Sequence, residues 1–297
     1  MKTILVTGAN GFLGQALLRR LSADRGARVV TVGRRPAGPA TARRTHRTAD
    51  LAKPGWTRAL PDRVDAVAHL AQSRHHRDFP AKARDLFDVN VRAGFDLLEW
   101  CRTRPGVRLV IASTGSFYAP RSGAIRESDR TEPPTFYAAT KLALDALARA
   151  HAGCVDVALL RLFSLYGPGQ EDRLIPNLIE RIRRGQAVTL NGPRGIPLAP
   201  LHVDDAAAAV ATLLRPRPGP GCDVVNLGGA ETVSLKDLAA GLARRAGTRA
   251  VFQKAPRAHG LVASNRAIER LFGVRPRIPL ERGLDQLFPP KEARARS

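Results

Sequence analysis

Residues 1–14 read MKTILVTGANGFLG, and this stretch decides the fold. Lys2 to Thr7 is a short β-branched apolar run that predicts a buried strand, and Gly8, Gly11 and Gly14 follow at intervals of three. Phe12, Leu13, Ala16, Leu17, Leu18 and Leu21 then recur at helical spacing. A glycine-rich hairpin would need a second strand after the turn, so the unit is strand, glycine turn, helix. In such a unit Gly8 permits the sharp turn, Gly11 lets backbone approach a pyrophosphate, and Gly14 lets helix pack on strand. The helix N-terminus, with Asn10 beside it, supplies amides and positive potential for phosphate. The spacing is not GxGxxG, so position carries the reading.

The chain continues in the same alternation. Ala27–Val32 reads as a second strand ending in Gly33-Arg34-Arg35-Pro36, where a dinucleotide-binding unit faces the adenosine ribose. No acid stands there to favour NAD(H), and two arginines do, so NADP(H) is the favoured cofactor, with a guanidinium on the 2′-phosphate. Residues 36–49 read as a loop closed by Asp50-Leu51, from which a short polar side chain could reach the adenine amino group. Val64–Ala71 is the next strand, with His69 read as a structural histidine near its end. Leu70 and Ala71 lead into a loop carrying Arg74, His75, His76 and Arg77, at the sheet edge where ligands gather. Lys82 to Arg104 reads as one long helix with Asn90 inside its apolar face. That buried amide must find hydrogen bonds, with the backbone of a neighbouring active-site strand as the natural outlet.

Val107–Ser113 is a further strand, running into Thr114-Gly-Ser116, and Thr135 opens a helix that contains Tyr137 and Lys141. Four residues apart on a helix, these two share a face. A phenol titrates near 10, and a neighbouring ammonium favours the phenolate, so the pair reads as a general acid/base for an alcohol or ketone. Thr114 would hold the same oxygen.

The whole composition narrows the class. A chain of 297 residues that is 44% hydrophobic, without a long uncharged apolar run, reads as a soluble α/β protein with no membrane partner. No export signal is visible, and three widely spaced cysteines indicate neither a disulfide framework nor a metal site, so a cytoplasmic location is expected. The net charge of +22 raises nucleic acid as a partner, but only seven of the 48 basic residues are lysine and the arginines are spread over nearly every helix. Small anionic ligands fit better.

TGANGFLG, Asp50-Leu51, HLA at 69–71, Asn90, ASTGSFY at 112–118, YAATK at 137–141, LRLFSLYGPGQ at 160–170 and HVDD at 202–205 together resemble the extended short-chain dehydrogenase/reductases, the NAD-dependent epimerase/dehydratase family. The resemblance covers nearly the whole chain. It implies a Rossmann-type doubly wound parallel sheet over 1–165, to which 200–215 returns, and a smaller C-terminal substrate domain from 166–199 and 216–297. It also implies a homodimer, a small-molecule substrate from carbohydrate metabolism, and Thr114, Tyr137 and Lys141 as the catalytic group. Gly8, Asn10, Gly11, Phe12, Leu13, Gly14, Arg34, Arg35, Asp50, Leu51, Leu70, Ala71 and Asn90, with Tyr137 and Lys141, become the cofactor-binding set. Arg74, Ser116, Ser164 and Arg173 become the candidates for substrate.

Three departures bear on the reaction. Sugar-nucleotide members usually carry asparagine where this chain has Ser164, and an arginine that clamps the diphosphate where this chain has Leu198. The 4,6-dehydratases place acids directly after the catalytic threonine, whereas this chain has Gly115-Ser116. The expectation is therefore an epimerase or ketoreductase rather than a dehydratase, set against a catalytically inactive NADP-sensing protein on the same fold. An intact Thr114, Tyr137 and Lys141 argue for the enzyme.

Overall fold

The computed structural model describes residues 1–256 and 258–288. The opening unit folds as its pattern demands: β1 (Lys2–Thr7), a turn, then α1 (Phe12–Ala23), whose Leu13, Leu17 and Leu21 are buried. Repetition of that unit gives β2 (Ala27–Gly33), β3 (Arg44–Thr48), β4 (Ala66–His69), α2 (Ala83–Phe87), α3 (Ala93–Arg102), β5 (Arg108–Thr114), α4 (Phe136–Ala150) and β6 (Asp156–Leu162). After α5 (Leu174–Arg183) and β7 (Val188–Asn191), α6 (Val203–Leu213) and β8 (Gly221–Leu227) follow. Then come α7 (Leu235–Arg245), β9 (Phe252–Ala255), α8 (Arg266–Phe272) and α9 (Leu280–Asp285).

Seven strands form one parallel sheet in the order β8-β6-β5-β4-β1-β2-β3. Strand order reverses between β1 and β4, which opens a crevice at the carboxyl edge. Alternate side chains of the strands feed two cores, as the period of two requires. Val6, Ala68 and Leu160 pack beneath α1 and α6, while Leu5, Val67, Ile111 and Leu159 pack against α3 and α4. A third core, built from α5, β7, α7 and α9, forms the smaller lobe around Leu178, Leu190, Leu238 and Leu284. Among the described residues no helix is long and apolar enough to cross a membrane.

Three elements differ from the sequence expectation. Residues 36–49 are not wholly loop, because Arg44–Thr48 forms the edge strand β3, a site where polar and charged side chains are tolerated. The second lobe does not begin at 216 without interruption: Gly221–Leu227 pairs with Asp156–Leu162 and completes the main sheet. Its apolar Val224, Val225 and Leu227 explain that return. The helix expected over Lys82–Arg104 is broken into α2 and α3 by a π-helical turn at Asp88–Arg92, which carries Asn90. A π turn inside a helix frequently marks a functional position.

Candidate active site

The glycine turn is fitted so closely that a side chain at Gly8 or Gly14 would strike backbone. Gly8 has φ +70°, and a Cβ there would lie 2.5 Å from the Ala71 nitrogen; one on Gly14 would lie 2.2 Å from the Gly8 carbonyl oxygen. Gly11 donates its N–H to the Gly8 oxygen at 2.9 Å, closing the turn. A cavity of about 440 Å³ opens on this turn. Gly8, Asn10, Gly11, Arg34, Arg35, Asp50, Leu51, Leu70 and Ala71 line it, so most of the expected cofactor set converges on one space. Asn10 Nδ2 donates to the Arg35 carbonyl at 2.9 Å and fixes the end of β2 against the turn. Phe12, Leu13 and Gly14 support the turn from beneath: Leu13 is buried and Phe12 reaches toward Gly167 of the other lobe. Glycines that a Cβ would fill against backbone, at a helix N-terminus, fit a dinucleotide pyrophosphate.

Arg74 also lines this cavity, as do Ser73 and His75. Arg74, expected on the substrate side, therefore faces the cofactor space. Its neighbours turn the other way. Arg77 Nη2 donates to the Asp172 carbonyl at 2.7 Å, and His76 Nε2 meets Arg173 Nη1 at 2.6 Å, so the 74–77 loop clasps the segment that precedes α5.

Asn90 does what a buried amide on an apolar face must. Its Oδ1 accepts the Ser73 N–H at 2.8 Å and its Nδ2 donates to Thr140 Oγ1 at 3.0 Å. Thr140 Oγ1 in turn donates to the Tyr137 carbonyl at 2.7 Å. The loop after β4 is thereby tied to the first turn of α4, and Gln72 of that loop receives the Tyr137 hydroxyl at 3.2 Å. Thr135 begins α4 by accepting the Ala138 N–H at 3.1 Å, an N-cap that sets the angle at which Tyr137 enters. Thr114 ends β5, and its hydroxyl acts on the Tyr137 phenol, drawing its pKa down. It also donates to Ser116 Oγ at 3.0 Å.

Lys141 stands one turn along the same face, buried, with Nζ donating to the Ala112 carbonyl at 2.5 Å. Burial pulls its pKa down to about 8, with Asp145 opposing. Burial likewise pushes Tyr137 above the usual phenol range, while the charge of Arg173 and the Thr114 hydrogen bond pull it back. Among the charges acting on the Tyr137 phenol, that of Arg173, on the segment before α5, draws its pKa down. His69 is buried beneath α4 with Nδ1 bonded to Thr7 Oγ1 at 2.8 Å and Nε2 unpartnered. Burial, helped by Lys141, lowers its pKa to about 3, so it is a neutral part of the floor.

The three departures have structural substance. Leu198 is buried in the core of the smaller lobe, 5% exposed, and pairs through its backbone with Val233. A Cβ on Gly115 would meet the Phe163 ring at 2.3 Å, so this aromatic occupies the space beside Thr114. Ser164 has φ +44°, an uncommon conformation for a residue with a side chain, and its carbonyl accepts the Leu201 N–H at 3.0 Å. Gln72 was not singled out by sequence; its position just after HLA was the one available signal. Phe163 was not singled out either, and nothing local points from it to Gly115.

The comparisons agree with this geometry. Residues 4–228 match the family model described as the NAD dependent epimerase/dehydratase family. A probable UDP-glucuronate 4-epimerase of Rhizobium meliloti (strain 1021) is 27% identical, with 94% of each chain covered. The dTDP-glucose 4,6-dehydratase of Streptomyces griseus is 32% identical over 82% of this chain and 78% of its own. Among solved structures, MoeE5 in complex with UDP-glucuronic acid and NAD superposes with a TM-score of 0.82 at 32% identity, covering 96% of this chain and 97% of that one. The seven-stranded crevice, the glycine turn and these matches together make the chain a member of the NAD-dependent epimerase/dehydratase family, of the extended short-chain dehydrogenase/reductase type.

Proposed function

We propose that this protein catalyses reversible oxidation and reduction at a secondary alcohol or ketone carbon of a sugar nucleotide, as an epimerase or a net ketoreductase, with Tyr137 as the acid/base. The observation that carries this reading is that the Tyr137 hydroxyl, on which Thr114 also acts, donates to Gln72, a residue lining the cavity on the glycine turn. When bound, the nicotinamide supplies the acceptor or donor of hydride. The protein's own part is to hold the reacting oxygen between the Tyr137 and Thr114 hydroxyls and to move one proton at Tyr137 Oη. The Asn90–Thr140 bridge keeps that hydroxyl and the cofactor loop in register. Lys141, anchored on the Ala112 carbonyl, places a cation beneath the same face of α4.

Two features refine the reaction. Phe163 packed on Gly115 leaves no room for an acid directly after Thr114, which favours oxidoreduction without loss of water, although a dehydratase is among the relatives. Arg34 and Arg35 on the cofactor cavity, with no acid at the end of β2, favour a 2′-phosphate, although MoeE5 was solved with NAD. The substrate class follows the relatives, one named for UDP-glucuronate and one solved with UDP-glucuronic acid.

The reading is tested by incubating the nicotinamide-loaded enzyme with UDP-glucuronate and following the C4 epimer and cofactor reduction by NMR and absorbance. Tyr137→Phe is expected to lower turnover by about 10³-fold, within the range for a lost general acid/base, with substrate affinity held within about threefold. Unchanged turnover in that variant would remove Tyr137 from the chemistry.

A further inference from the structure

We propose that Gln72 is a positioning residue for the reaction: its side-chain carbonyl keeps the Tyr137 hydroxyl proton-bearing and turned toward the cofactor cavity, ready to give that proton to a carbonyl oxygen. The inference rests on the acid/base reading of Tyr137 above and assigns the state in which the empty site waits.

Tyr137 Oη donates to Gln72 Oε1 at 3.2 Å, and Gln72 lines the cavity on the glycine turn together with Gly8 and Asn10. The backbone on either side of Gln72 is fixed. Ala71 donates its N–H to Thr7 Oγ1 at 3.4 Å, and Ser73 donates its N–H to Asn90 Oδ1 at 2.8 Å. Ser73 is itself buried, and its hydroxyl bonds to the Asp85 carboxylate. From Asn90 the bonds run through Thr140 Oγ1 to the Tyr137 carbonyl. Gln72 and Tyr137 are therefore joined twice, through the backbone and through their side chains. Folding does not demand the second link, because Gln72 is exposed and water would satisfy its amide there. What the link changes is the state of the hydroxyl.

Other groups around that hydroxyl pull the opposite way. Burial pushes the phenol up, while Arg173, on the segment before α5, and the Thr114 hydroxyl, at the end of β5, favour the phenolate. Lys141 stands one turn along α4, and His76, in the loop after β4, meets the Tyr137 ring edge-on at 5.9 Å with its own pKa lowered by burial. Thr114 gives its proton to Ser116 Oγ at 3.0 Å and takes the Ser116 N–H at 3.1 Å. A carbonyl oxygen only accepts, so Gln72 Oε1 stabilises the protonated partner and holds the proton on Tyr137 against Arg173 and Thr114. In the reductive step Tyr137 Oη gives this proton to the substrate's carbonyl oxygen while the carbonyl carbon takes hydride from a reduced nicotinamide. The products are an alcohol, a tyrosinate and the oxidised nicotinamide. The incoming carbonyl oxygen replaces Gln72 Oε1 as acceptor, and no proton has first to be fetched from water.

The test reads the Tyr137 phenol directly, without substrate. The chain has three tyrosines, and burial raises Tyr118 and Tyr166 as well, so fluorine NMR of protein labelled with 3-fluorotyrosine follows each one, with Tyr137→Phe assigning the resonance. The fluorinated phenol is more acidic than the natural one and brings the titration into a milder range. Gln72→Met, similar in length but without the acceptor, should lower the Tyr137 pKa by about half a unit to one unit, the size of one neutral hydrogen bond. Gln72→Glu, which keeps an acceptor and adds negative charge, should raise it by at least as much. An unchanged value in Gln72→Met overturns the proposal, and so does a rise, which an amide donating to a phenolate would give. If the order Glu, Gln, Met holds while Tyr137→Phe leaves turnover of UDP-glucuronate unchanged, the hold on the hydroxyl stands and the acid/base reading falls. If Tyr137→Phe abolishes turnover while the titration ignores Gln72, the acid/base reading stands and the hold falls.

Discussion

At the cofactor end of the cleft Gly8 turns with φ +70° and a Cβ on it would strike the backbone of Ala71, while in the segment before α5 Gly169 turns with φ +79° and has nothing within 4 Å of where a Cβ would sit. Both glycines satisfy the same backbone demand, and their surroundings differ completely. The cofactor end is built from one contiguous strand–turn–helix and the strand beside it, so its parts are mutually braced. The substrate end is assembled from segments before α5, before α6 and after β8, brought together across two lobes, and it leaves open space. A braced turn suits a ligand shared by a whole family, and an open assembly suits one that varies.

The largest expected effect breaks that comparison directly. In Gly8→Ala a left-handed residue must be accommodated and its Cβ must displace backbone at 2.5 Å, two costs that sum to about 3 kcal/mol or more. In Gly169→Ala only the left-handed conformation is at stake, about 1–2 kcal/mol. Urea denaturation of the two variants measures the difference, and equal losses would mean that the turn is less tightly braced than its contacts imply. Gly8→Ala should also fail to retain a nicotinamide cofactor.

Lys141 sharpens the comparison at the boundary between the two ends. Its pKa is drawn from 10.5 to about 8 by burial, so between those values the unfolded chain binds a proton that the folded protein has released. Stability must therefore climb as pH rises through that window, by roughly 3 kcal/mol in all, and the full penalty is felt below about pH 8 where both states are protonated. Tyr137, raised by burial, titrates above the usual phenol value and works in the opposite sense at still higher pH. Denaturation curves of wild type and Lys141→Met at pH 7.5, 8.5 and 9.5 separate the two. The climb should be present in the first and absent in the second; the same slope in both would place its origin elsewhere.

The same contrast governs what the sequence made readable. The turn, its helix and the Thr114, Tyr137 and Lys141 group were legible because each depends on spacing within one element or at one strand end. Asn90 was legible as a polar residue on an apolar face, and its bridge from Ser73 to Thr140 follows from its need for partners. The π turn that carries it was not legible, because Asp88–Arg92 continues the helical spacing and no glycine or proline marks a break. Arg173 could be suspected but not assigned, since its nearness to Tyr137 depends on how the second lobe folds back over the first. The place of β8 was not legible, because the resemblance assigns 216–297 as a block to the smaller lobe and only the pairing with β6 puts Gly221–Leu227 in the main sheet.

The smallest expected effect lies at the far rim of the braced end, where Arg34 and Arg35, exposed at the end of β2, line the cavity. Asn10 holds this turn through the Arg35 carbonyl, a backbone contact that an alanine would keep. Replacing both side chains therefore removes two guanidinium groups without loosening the turn. If they recognise a 2′-phosphate, Arg34→Ala with Arg35→Ala should weaken NADPH by about tenfold relative to NADH, the loss of roughly one charge-assisted contact at a solvent-exposed site. Fluorescence titration of both cofactors against wild type and the double variant gives the ratio directly. An equal loss for both would reduce the arginines to solvated charge and leave NAD, the cofactor found in the solved relative, as the partner of this turn. The rim would then resemble the substrate end, open and unselective, and the bracing would stop at Asn10.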